Sequence, residues 1–103
     1  MRFVDEMMAF IRKSPTAYQV VENLSVQLEA AGFQRLNEGE IWRLQAGGNY
    51  YVTRNGSSVI AFRLPEAGFA HFQIVASHSD SPCFKLKPEA TRASVGYALL
   101  NVE

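Results

Sequence analysis

Two side chains in this sequence have the type and spacing to do chemistry: His78 and Asp80, in the run Phe72-Gln-Ile-Val-Ala-Ser-His-Ser-Asp-Ser-Pro82. A neutral imidazole is a good zinc ligand. A carboxylate beside it can accept the ring's other N–H and fix its orientation. Residues two apart in extended chain point to the same side, roughly 6–7 Å apart along the backbone. The competing reading makes His78 an ordinary surface histidine and Asp80 a turn residue that accepts backbone hydrogen bonds. The apolar run before them and Pro82 after them favour the metal reading, because ligand sites gather beyond the carboxyl ends of buried strands.

Other reactive groups carry less. His71, the only other histidine, lies seven residues before His78. In a strand that is about 23 Å away and on the opposite face, so the two cannot share a metal. Cys83 is the one cysteine and has no partner histidine at a useful spacing, which predicts a small buried filler rather than a nucleophile. Lys85 and Lys87 share a strand face, which reads as solvated. Trp42, Tyr50 and Tyr51 have no basic stripe beside them, as a nucleic-acid platform would need.

The elements that must position His78 follow from periodicity. Phe3, Met7, Phe10 and Ile11, widened by Val4 and Met8, predict an amphipathic helix ending near Lys13. Ser14-Pro15 predicts the start of a second helix, with Ser14 as N-cap and Pro15 in the first turn. Its apolar face is Ala17, Val20, Val21, Leu24, Leu28 and Ala31, and Gly32 is its left-handed stop. Strand signals follow at Ile41–Leu44, Asn49–Arg54, Ser57–Leu64, Phe72–Ala76, Phe84–Lys87 (ending at Pro88) and Val95–Val102. Asn55-Gly56 marks a tight hairpin turn. Phe72–Ala76 reads as a strand buried on both faces, needing cover that two helices supply on one side only.

Bulk properties bound the class. Hydrophobic residues at 48% and charged residues at 19% describe a globular chain, with one domain or part of one in 103 residues. Ten basic residues balance ten acidic ones, so no basic field recruits nucleic acid. No apolar run approaches the roughly 20 residues of a membrane span. A single cysteine cannot form an internal disulfide, which fits a reducing, cytoplasmic setting.

Several blocks occur together in order: Ser14-Pro-Thr-Ala-Tyr-Gln-Val-Val21, Ala31-Gly-Phe33, Tyr50-Tyr-Val-Thr-Arg-Asn55, Ser58-Val-Ile-Ala-Phe62 and Ser77-His-Ser-Asp-Ser-Pro-Cys-Phe-Lys-Leu-Lys87. In this order they resemble the N-terminal segment of the aspartyl aminopeptidase family, over nearly the whole chain. The most specific block is His-Ser-Asp-Ser-Pro, where family members commonly read His-Thr-Asp-Ser-Pro. The resemblance implies an α/β chain, two helices followed by about five strands, forming the N-terminal part of a three-layer zinc-exopeptidase fold that is incomplete on its own. It also implies a two-metal zinc site that removes N-terminal, often acidic, residues from peptide substrates. His78 then matches a metal ligand, and Asp80 the catalytic-site carboxylate that holds it.

The resemblance places the other ligands, the general base and most of a dimerisation domain beyond the equivalent of Glu103. Residues 1–103 are therefore expected to be an inactive piece of a metalloaminopeptidase domain. Their expected partners are the remainder of that chain and further copies of it, in a homo-oligomer. The alternative is a free-standing α+β interaction module that pairs through exposed strand edges.

Overall fold

A computed structural model describes all 103 residues. Two helices come first, α1 (Arg2–Lys13) and α2 (Ala17–Ala30). Five strands follow: β1 (Gln34–Leu36), β2 (Asn49–Arg54), β3 (Ser58–Arg63), β4 (Leu86–Ser94) and β5 (Tyr97–Val102). The architecture is α/β, two helices followed by five strands. One sheet has the order β1-β2-β3, parallel then antiparallel, and β4-β5 forms a separate hairpin.

Helix α2 starts two residues later than the Ser14-Pro15 signal suggests. Its N-cap is Thr16, whose hydroxyl accepts from the Gln19 backbone N–H while the Gln19 side chain accepts from the Thr16 backbone N–H. This reciprocal box satisfies two donors that a helix start leaves orphaned. Ser14 serves the interhelical corner instead. Asn23 Nδ2 donates to both Ser14 Oγ and the Lys13 carbonyl, each at 3.0 Å. The far end stops as expected, with Gly32 at φ +83° and the Phe33 N–H bonded to the Leu28 carbonyl at 2.9 Å. Val21 is buried and Ala17, Val20, Leu24 and Leu28 are half-buried; Ala31 is exposed.

That helix face lies on the three-stranded sheet. Tyr51 is completely buried, and its hydroxyl donates to Glu29 Oε1 of α2 at 2.5 Å. Its neighbours Tyr50 and Val52 point to the other sheet face, as period two requires. There Tyr50 meets Phe62, its cross-strand partner, at 5.7 Å between ring centroids. Trp42 stacks on the same Phe62 at 6.4 Å, and its indole N–H donates to the Asn37 carbonyl. Ile41–Leu44 is therefore not a strand: its tryptophan lies over the sheet instead of extending it. The sequence also carried no usable sign of β1, three residues that pair in parallel with β2.

Only Val21, Tyr50, Tyr51 and Val52 are buried. The radius of gyration is 19.4 Å, against about 13 Å for a compact chain of this length. Helix α1 buries no residue and leaves Phe3, Met7 and Ile11 largely exposed. The β4–β5 hairpin touches no other helix or strand. Its first strand runs past Pro88 through a register shift between Leu86 and Thr91, so the proline, which has no N–H to give, sits where the ladder is interrupted.

Candidate metal centre

The largest departure from the sequence reading concerns the segment leading to His78. Phe72–Ala76 is neither a strand nor buried: it lies in the irregular stretch between β3 and β4, and Val75 is fully exposed. A strand exists only by pairing its backbone, and a buried one needs a layer on each face. No segment within these 103 residues pairs with it or covers it. Cys83, expected as buried filler, is exposed for the same reason. Lys85 and Lys87 are exposed, as a solvated face requires, and Lys85 Nζ is 3.8 Å from a Glu103 carboxylate oxygen. His71 is also exposed and stands outside the site.

His78 and Asp80 nevertheless meet. His78 Nδ1 lies 3.0 Å from Asp80 Oδ1 and 2.8 Å from the Asp80 carbonyl oxygen. Both partners are acceptors, so the proton of the neutral ring belongs on Nδ1 and the Nε2 lone pair is free. Asp80 meets the ring twice, its carboxylate and its backbone carbonyl both accepting from the same nitrogen. Both side chains are more than four-fifths exposed, at 82% and 81%, so Nε2 opens to solvent.

This donor set fits a metal ion as one ligand with its orienting carboxylate. No group of three or more His, Cys, Asp or Glu side chains lies so as to hold a metal within these residues. A zinc site needs three or four protein ligands.

One contact could not be read from the sequence. The Ser79 hydroxyl donates to the Ser57 carbonyl at 2.8 Å, across 22 residues. Ser57 closes the Asn55-Gly56 turn, where φ is +53° and +64°, the left-handed values that a tight hairpin demands. The hairpin was legible in advance; the carbonyl it would present to Ser79 was not.

Comparison with known proteins shows what class of protein this two-helix, five-strand α/β chain opens: a metallopeptidase. Residues 10–103 match the family model described as aminopeptidase I zinc metalloprotease (M18). The chain belongs to that family, and corresponds to its N-terminal part.

A probable M18 family aminopeptidase 2 from Pseudomonas paraeruginosa is 46% identical over 99 residues, covering 91% of this chain and 22% of the relative. The corresponding protein of Ectopseudomonas mendocina is 40% identical over 102 residues, covering 97% of this chain and 24% of its own length. The chain thus spans less than a quarter of these relatives. Among solved structures, Ape4 in complex with Nbr1 superposes with a TM-score of 0.89 at 38% identity, covering 95% of this chain and 19% of that one. Chaetomium thermophilum mApe1 gives 0.87 at 32% identity, covering 98% and 24%. The Saccharomyces cerevisiae mApe1 dodecamer gives 0.80 at 30% identity, covering 97% and 24%.

Proposed function

We propose that residues 1–103 form the N-terminal part of the catalytic domain of a zinc aminopeptidase that removes N-terminal residues, acidic ones foremost, from peptides. The observation that carries this reading is the His78–Asp80 pair, with Nδ1 engaged by the carboxylate and Nε2 free, in a chain of the zinc metalloprotease family. His78 would hold the metal and Asp80 would keep the ring turned toward it. Zinc bound there supplies Lewis acidity for peptide-bond hydrolysis in a two-metal site. The remaining ligands and the general base come from a longer chain, so residues 1–103 alone are inactive.

Exposed apolar side chains on α1, on Phe72–Val75 and on the β4–β5 hairpin support two kinds of partner: the rest of the same polypeptide, and further copies of it in a homo-oligomer. The dodecameric relative supports the second. A free thiol at Cys83 suits a cytoplasmic setting. No helix is long and apolar enough to cross a membrane.

The test is amino-acid release from peptides beginning with Asp or Glu, by the longest natural polypeptide carrying this sequence and by residues 1–103. The reading requires chelator-sensitive release by the first, abolished by His78→Ala, and none by the second. Chelator-sensitive release by residues 1–103 alone, or full activity of the His78→Ala protein, would overturn it.

A further inference from the structure

The segment that carries His78 is held to the folded body at one point. Across residues 66–84, the Ser79 hydroxyl bond to the Ser57 carbonyl is the only hydrogen bond to any other part of the chain. Ser79 is also the only residue from Pro65 to Glu89 that is not exposed. It lies between the proposed ligand and its orienting carboxylate. It faces the opposite way from them, into the body, while His78 and Asp80 face solvent.

The acceptor is equally defined. Ser57 follows two residues with positive φ and donates its own N–H to the Arg54 carbonyl at 3.2 Å. Its carbonyl is therefore set by a hydrogen-bonded turn on the end of the β2–β3 hairpin. That hairpin belongs to the sheet containing the buried Tyr50, Tyr51 and Val52. The sheet that holds the buried core thus presents a hydrogen-bonded turn's acceptor to the loop carrying His78.

We propose that Ser79 is a positioning residue for the metal centre: its hydroxyl pegs the His78–Asp80 loop to the turn at Asn55–Ser57 and so fixes where the Nε2 lone pair points. This rests on the metal reading of His78. A ligand whose support is loose loses metal affinity, because ordering it must be supplied at the moment of binding. Removing a hydrogen bond that orients a ligand typically costs 10- to 100-fold in affinity. The peg requires a hydroxyl on Cβ and tolerates a methyl beside it, so threonine serves and valine, of threonine's shape without the hydroxyl, does not.

The experiment uses the longest natural polypeptide carrying this sequence, with His78→Ala, Ser79→Thr and Ser79→Val variants. Zinc affinity is measured by competition with a chromogenic chelator. Amide exchange of residues 77–83 is followed in the metal-free protein. We expect Ser79→Val to bind zinc about 10-fold or more weakly and to exchange these amides faster. Ser79→Thr should stay within about threefold of the parent in affinity, within the lower bound of that effect, and exchange at the parent rate.

Equal affinities and exchange rates for the threonine and valine variants would overturn the peg while leaving the metal reading intact, provided His78→Ala weakens binding. Parent-like zinc binding by His78→Ala would remove the metal reading and the peg together. The threonine–valine pair also controls for folding, since a packing defect from the added methyl strikes both alike.

Discussion

The Tyr51 hydroxyl and the Glu29 carboxylate meet at 2.5 Å across the α2–β2 interface, with the tyrosine ring completely enclosed. This bond is the polar tie in a core of only four buried residues. Phenylalanine at 51 keeps the ring and removes the donor. Tyr51→Phe should therefore destabilise the chain by about 1–3 kcal/mol, the cost of breaking a charge-assisted bond. A shift of the urea midpoint at unchanged slope measures it.

The same tie makes stability depend on pH in the alkaline range. Burial first, and then the hydrogen bond and charge of Glu29, push the Tyr51 pKa above its ordinary value near 10. The folded state holds the proton more tightly than the unfolded state. This contribution is complete below the unfolded pKa and is lost as pH rises through the folded one. Unfolding midpoints should thus fall above about pH 10, and Tyr51→Phe should flatten that decline.

Gly48 is a close-approach position. A Cβ there would lie 2.5 Å from both Cε2 and Oη of Tyr50, whose ring is buried and cannot swing away. The Gly48 carbonyl also accepts from the Leu64 N–H, and the Tyr50 hydroxyl accepts from the Gln45 N–H. Gly48→Ala should cost about 1–3 kcal/mol, as overpacking does, and the loss should appear in thermal unfolding.

The β4–β5 turn is built against its own chemistry. Val95 sits at φ +49° and Gly96 at +79°, the two-residue geometry that favours Asn-Gly. A β-branched residue in the left-handed region costs about 1–2 kcal/mol. Val95→Asn should relieve most of it. Because the hairpin touches no other element, the gain should appear as slower amide exchange in β4 and β5, with little change in melting of the β1–β3 sheet.

If His78 holds a metal as proposed, Asp80→Asn should matter nearly as much as losing His78 itself. Asparagine keeps the size but not the charge facing His78 Nδ1. Zinc affinity of the longest natural polypeptide should fall about 10- to 100-fold, with circular dichroism unchanged. Parent-like affinity would return Asp80 to an ordinary turn residue.

Local chemistry determined much of this protein in advance. The apolar stripe from Ala17 to Leu28, the glycine stop at Gly32 and the Asn55-Gly56 turn depend on neighbours a few residues away, and all three stand where the sequence puts them. The His78–Asp80 contact was legible for the same reason, since only one residue separates the pair. Phe72–Ala76 was not, because strand character states a preference that partner strands and covering layers must complete. Residues 1–103 supply neither, so an apolar segment stands exposed. Tertiary structure also decided that Trp42 covers the sheet, that Tyr51 bonds Glu29, and that Ser79 reaches Ser57. Each joins residues 20 or 22 apart in sequence, contacts that no local propensity encodes and that form only once the sheet has brought the partners together.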